Sequence, residues 1–236
     1  MDGLKKMLNR KEYLKKFKYI QEIIIEVTDD LVRWVTPGIS EKEIADKYSS
    51  MLSGVGLRQH WYPILVCVGD ITGQPISRRI HLPSQEIKVR RNDVVFVDCT
   101  PIDGTVWGNW CKTFIVGNNH FFEELTSDCR FIVDETYKFS SEKAKTVGDL
   151  YNFCLKIIHN KQLEILDPYK DVGHSIFQVK VGQSVENTPM SERLFLNDRF
   201  REIKLSGIIS IEPQVGRKNK VDRKMYGAKL QKIIIY

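Results

Sequence analysis

The sequence predicts an α+β fold, and three observations carry that prediction. Apolar residues recur at helical spacing in two separated stretches, residues 11–53 and 121–159. Each stretch is followed by short β-branched and aromatic runs of strand character. The resulting order is helices, strands, helices, strands, which differs from the strict alternation of a wound parallel sheet. That order also divides the chain into two halves of similar plan. No repeat of short period is present and no Pro- or Ser-rich linker separates the halves, so one domain over residues 1–236 is expected.

Taken in order, Tyr13, Phe17, Ile20, Ile23, Ile24, Val27, Leu31 and Val35 predict an amphipathic N-terminal helix over about residues 11–35, stopped by Thr36-Pro37-Gly38. Ser40, with Glu43 three residues on, forms a capping box and starts a second helix that ends near Ser53-Gly54. Residues 62–68, 94–98 and 105–116 read as strands, with 69–75 as loop. Residues 121–139 and 147–159 read as helices, the latter capped by Thr146 and Asp149. Residues 176–181, 203–211 and 226–236 close the chain as strands.

Composition fits an ordered, soluble chain. Of 236 residues, 42% are apolar and 28% charged, which argues against disorder. The basic N-terminus lacks the continuous apolar segment of a secretory signal, and no apolar run approaches the ~20 residues that span a bilayer. The five cysteines, Cys67, Cys99, Cys111, Cys129 and Cys154, are odd in number, irregularly spaced and free of CxxC, so reduced thiols and a cytoplasmic location are expected. The net charge of +6 concentrates in residues 5–18, 78–91 and 217–224. Solvated faces are the first reading of these clusters. No nucleic-acid motif accompanies them, so neither nucleic acid nor membrane is an expected partner.

The most informative stretch runs from Val94 to Phe114. Asp103-Gly104 is a two-residue hairpin turn signal. Pairing Ile102 with Thr105 about that turn sets Asp98 opposite Asn109 on one face, with Cβ atoms about 4.5–5.5 Å apart. Two polar side chains then meet on an apolar hairpin, either as a stabilising hydrogen-bonded pair or as two ligand positions. A second hairpin repeats the arrangement: pairing about the middle of the basic loop brings Glu212 opposite Gln231. Between the hairpins lies Gly173-His174-Ser175. Cys111, two residues after Asn109, shares its strand face. A small buried thiol is the first reading, and a nucleophile activated by His174 the alternative.

Together these residues resemble the peptidase family of methionine aminopeptidases, aminopeptidase P and prolidase, with creatinase as a metal-free relative. The likeness runs from Thr36-Pro37-Gly38-Ile39-Ser40 to the C-terminus. It rests on the Asp98-to-Asn109 spacing, the Lys112-Thr113-Phe114-Ile115-Val116-Gly117 tail, the Gly173-His174 pair and Ile211-Glu212-Pro213. The resemblance implies a pita-bread fold, with two pseudo-symmetric αβ halves around a curved antiparallel sheet, and no separate prolidase-type N-terminal domain. The family's metal ligands are Asp, Asp, His, Glu and Glu. The matching positions here are Asp98, Asn109, His174, Glu212 and Gln231.

The resemblance assigns the second Asp and the last Glu to bridging two metal ions, and those two positions hold amides. Two divalent ions about 3.5–4 Å apart need anionic bridges. An amide offers one neutral oxygen and an NH₂ that only donates. The expected cofactor is therefore none, or a single weakly bound divalent metal (Mn, Fe, Co or Zn) at His174 and Glu212. The family's second histidine, seven residues after the ligand histidine, is Val181 here. His81 lies near the place of a further substrate-facing histidine. The resemblance thus makes His174, His81 and Glu212 the candidate catalytic groups.

The expected function is a divergent member that binds a small peptide- or amino-acid-like ligand in the central cleft. It is either a pseudoenzyme or a protein running one-metal or metal-free chemistry. An active metalloaminopeptidase of Xaa-Pro or methionine type, and a non-catalytic protein- or nucleic-acid-binding module, are the alternatives. A homodimer is left open.

Overall fold

The computed structural model describes residues 7–76 and 81–236, and the backbone alone of Met190. Residues 5 and 6 of the first basic cluster and Arg78 and Arg79 of the second lie outside the described residues.

Helix α1 (Arg10–Trp34) begins at a capping box that the apolar pattern does not reveal. The Asn9 side chain accepts the Glu12 N–H and the Glu12 carboxylate accepts the Asn9 N–H. Its buried apolar residues, Tyr13, Phe17, Ile20, Ile24, Val27 and Leu31, alternate steps of four and three along one face. Helix α2 (Glu41–Gly54) starts at the expected Ser40–Glu43 box. Helices α3 (His120–Glu142) and α4 (Val147–Asn160) occupy the corresponding place in the second half, and the Thr146–Asp149 box caps α4. Among the described residues no helix is long and apolar enough to cross a membrane.

The strands form four antiparallel sheets of three strands each among the described residues. In the first half β2 (Leu65–Val68), β3 (Asp93–Cys99) and β6 (Trp110–Val116) make one sheet, and β1 (Gln59–His60), β4 (Pro101–Asp103) and β5 (Val106–Trp107) another. In the second half β8 (Gly173–Ile176), β9 (Ile208–Ile211) and β12 (Lys232–Ile235) match the first of these. Strands β7 (Glu164–Ile165), β10 (Gln214–Lys218) and β11 (Met225–Lys229) match the second. Each half is thus a long hairpin bent once in each arm, so that its tip joins one sheet and its base another. The bends fall at Thr100 and Gly108-Asn109 in one half, and at Glu212-Pro213 and Leu230-Gln231 in the other. One apolar cluster packs α1 and α2 onto the first half, and a second packs α3 and α4 onto the other.

The bends explain where the strand reading departs. The run 226–236 is two strands rather than one, because Leu230 and Gln231 leave the ladder. The run 203–211 is strand over Ile208–Ile211 alone, after Gly207 turns the chain with φ of +72°. The run 176–181 leaves the sheet after Ile176, and Phe177 sits edge-on against Trp61 and Trp107. Apolar character at 177–181 reflects aromatic packing there, not a strand.

Register in the first hairpin is also a correction. Asp98 lies opposite Cys111 and Ile102 opposite Trp107, two residues away from the Asp98–Asn109 pairing read from the sequence. The turn residues are Gly104-Thr105, with Gly104 at φ +67° in the first position, the glycine placement of a type II′ turn. Because the slip is two residues, side-chain direction is preserved and Asn109 stays on the face of Asp98. The second hairpin keeps the expected register, since Ile211 pairs with Lys232 and Gln214 with Lys229, which sets Glu212 across from Gln231.

Candidate functional site

The two hairpins place their bends against each other, and the polar residues at the bends meet between the halves. Asp98, near the end of β3, is 1% exposed, Asn109 0%, and His174 and Glu212 4% each. His174 is carried by β8, next to Gly173, where the backbone approaches β9 so closely that a Cβ would lie 1.9 Å from the Ser210 carbonyl oxygen. No side chain larger than hydrogen fits there, which accounts for glycine before the histidine.

These side chains are held by one another. Asn109 donates its amide to Glu212 Oε2 at 2.6 Å and to Ser210 Oγ at 3.3 Å. Ser210 donates to the same Glu212 oxygen at 2.8 Å. Tyr62 donates its hydroxyl to Asp98 Oδ1 at 2.7 Å and lies 3.4 Å from Asn109 Oδ1. Gln231 turns to the backbone: its NH₂ donates to the Asn109 carbonyl at 2.8 Å and its oxygen accepts the Cys111 N–H at 2.9 Å. Gln21 of α1 reaches the same loop, donating to the Asn109 carbonyl at 2.9 Å and accepting the Asn109 N–H at 2.7 Å. The amides at 109 and 231 thus fasten the two hairpins together.

At the centre sits Lys229. Its ammonium is 3.0 Å from Asp98 Oδ2 and 2.9 Å from Glu212 Oε1, with the side chain 12% exposed. Burial works to lower its pKa, but the two carboxylates outweigh burial and hold it well above the ordinary lysine value. The lysine is therefore charged across the working pH range.

His174 Nδ1 faces its neighbour's carbonyl, Ser175 O, at 3.0 Å. A carbonyl oxygen only accepts, so Nδ1 is the donor in that contact and Nε2 is the ring atom turned toward Glu212. That atom is buried, lies 3.3 Å from Glu212 Oε1, and makes no hydrogen bond. Proximity without a donor in line is not a bond.

Of the sequence candidates, Asp98, Asn109, His174 and Glu212 come together, and Gln231 joins them through the Asn109 backbone. His81 goes elsewhere: its Nε2 bonds the Val66 carbonyl at 2.9 Å and lies 3.6 Å from the buried Glu41 carboxylate. Cys111 is a buried thiol whose pKa burial pushes well up, against activation as a nucleophile. Lys229 and Ser210 were missed, though each left a signal. They stand two residues before Gln231 and Glu212, on the same strand face. Tyr62 and Gln21 arrive from remote elements and left none.

The family model of metallopeptidase family M24 matches residues 15–235. The chain belongs to metallopeptidase family M24. No curated protein matches the sequence. Among solved structures, the X-Pro aminopeptidase from Thermotoga maritima is similar with a TM-score of 0.75 at 18% identity, over 97% of this chain and 59% of that one. Prolidase from Pyrococcus furiosus gives 0.72 at 20% identity, over 97% of this chain and 62% of that one. Methionine aminopeptidase from Thermotoga maritima gives 0.74 at 15% identity, over 97% of this chain and 94% of that one. The M24 fold is thus the pita-bread fold. The chain spans about three fifths of the length of the first two structures and nearly all of the third.

The five residues that the resemblance sets at metal positions, Asp98, Asn109, His174, Glu212 and Gln231, do not in this arrangement offer the anionic bridges that a pair of dications needs. Among the described residues no group of three or more His, Cys, Asp or Glu is disposed to hold a metal ion. Asn109 turns its NH₂, a donor, toward Glu212, and Gln231 has both ends of its amide on backbone. Lys229 lies between the two remaining carboxylates. What remains for a cation is His174 Nε2, which makes no hydrogen bond, beside Glu212.

Proposed function

We propose that this M24 chain binds a small peptide- or amino-acid-like ligand between its two halves and does not carry out two-metal peptide hydrolysis. One observation carries the second part of that reading: the two amides at the bridging positions are committed as hydrogen-bond partners, Asn109 to Glu212 and Gln231 to the backbone of the opposite hairpin. An anionic bridge between two ions is what those positions lack. The cofactor is none, or a single weakly held divalent ion at His174 and Glu212. Any chemistry without metal falls to His174, whose Nε2 is buried and makes no hydrogen bond, with Glu212 beside it. His81 is tied to Val66 and Glu41 and is not placed for that role. The five free, buried thiols support a reducing, cytoplasmic setting.

The test is metal content and turnover measured together. The full chain is equilibrated with Mn, Co, Fe or Zn, desalted and analysed, and peptides beginning with Met or Xaa-Pro are offered to it. At most one loosely held ion per chain and no release of N-terminal residues are expected. Two ions retained per chain with steady release would establish the aminopeptidase reading instead.

A further inference from the structure

We infer that Lys229 is a tethered cation standing in the place of the metal pair, and that it would keep divalent ions out even if both lost carboxylates were restored. The inference rests on the metal-poor reading above but assigns the exclusion to a residue outside the five family positions.

The geometry is specific. Lys229 ends β11, and its backbone is pinned to β6 in the other half: its N–H donates to Thr113 Oγ1 at 2.8 Å, and its carbonyl accepts from the same hydroxyl at 2.9 Å. The side chain then crosses between the halves. Its ammonium meets Asp98 of the first half at 3.0 Å and Glu212 of the second at 2.9 Å. The face of Phe96 lies 5.7 Å from the same nitrogen. An ammonium carries three donors on a compact charge. Two carboxylates and an aromatic face satisfy it without solvent. Glu212 is occupied on its other oxygen by Asn109 and Ser210, and Asp98 on its other oxygen by Tyr62.

A dication entering this cluster must therefore share both carboxylates with a cation that cannot diffuse away. Restoring carboxylates at 109 and 231 adds charge without removing that competitor. The lysine also does a mechanical job of bound metal, joining the first half to the second through opposite charges.

The test compares metal affinity by calorimetric titration with Zn and Co and by metal content after desalting, with far-UV circular dichroism as the folding control. N109D/Q231E is expected to bind no more than about tenfold more tightly than the wild type. N109D/Q231E/K229Q is expected to bind at least 100-fold more tightly than N109D/Q231E, while N109D/Q231E/K229R stays with the double variant. A double variant that already binds as tightly as the K229Q triple, or a folded triple with no gain, overturns the inference. If the triple does not fold, the double variant decides: a gain of 100-fold with Lys229 present overturns the inference, and a gain within tenfold upholds it. A wild type that holds two ions and releases N-terminal residues overturns the functional reading, a result distinct from any of these.

Discussion

The indole of Trp107 lies nearly parallel to the imidazole of His174, with centroids 5.9 Å apart and planes at 20°. Trp61 stacks on Trp107 at 5.4 Å, and Phe177 meets both indoles edge-on. One face of the histidine is thus covered by an aromatic pile whose two indoles are each 1% exposed. The pile sits where the tip of the first hairpin meets the chain after β8, so it joins the halves as the polar cluster does. Trp107→Ala is expected to destabilise the fold by about 3–5 kcal/mol, the usual range for a buried aromatic. Urea unfolding followed by circular dichroism measures it. A loss below about 1 kcal/mol would show that the site collapses around the missing ring.

Removing the central cation leaves Asp98 and Glu212 facing each other without it. Lys229→Met is expected to lower stability by about 3–5 kcal/mol, the range for breaking a buried ion pair on one side. The pH dependence follows from the direction of the lysine shift. Its folded pKa is raised, so its contribution is complete below the ordinary lysine value of about 10.4 and is lost as pH rises through the folded value. The wild type should therefore gain or lose nothing from this group between about pH 6 and 9. Unfolding midpoints that fall steadily over that window, and do so less in Lys229→Met, would contradict the assignment.

Gln21 is a buried polar residue on the apolar face of α1, and its two bonds to the Asn109 backbone explain it. Gln21→Leu keeps the volume but leaves the Asn109 N–H without its acceptor. The expected loss is about 1–3 kcal/mol, the cost of an unsatisfied buried group. Gln231 still serves the Asn109 carbonyl, so the loss should stay below that of Lys229→Met. Guanidinium midpoints of the two variants, measured side by side, give the order.

All five cysteines are free and buried. Burial pushes Cys129 and Cys154 up to about 12, and raises Cys67, Cys99 and Cys111 as well. A thiol in such surroundings has little thiolate near neutrality. A coloured disulfide reagent at neutral pH is expected to modify none of them in the native chain within minutes, and all five after unfolding. Rapid native modification of Cys111 would revive its reading as a nucleophile.

Much of this molecule is legible in its sequence. Helical spacing marked α1 through α4 within a few residues, and the Ser40–Glu43 and Thr146–Asp149 boxes marked two of their starts. Glycine at 104 marked the first hairpin, although the turn lies one residue later than Asp103-Gly104 suggests, and the two-residue slip spared the face. The bends were not readable. A strand that leaves one sheet for another keeps its apolar character, so residues 105–116 and 226–236 each read as one strand.

By itself the sequence determined which residues share a face: strand parity sets Asp98 and Asn109 on one side of their hairpin, and Glu212 and Gln231 on one side of theirs. The tertiary structure decided what they became. Whether the carboxylates await a dication or are closed by an ammonium depends on Lys229 of the second half arriving at 2.9 Å from Glu212 and 3.0 Å from Asp98 of the first. Periodicity acts along the chain over a few residues and sets which face Lys229 shares, whereas its meeting with Asp98 is charge compensation through space between segments more than a hundred residues apart, which periodicity does not encode.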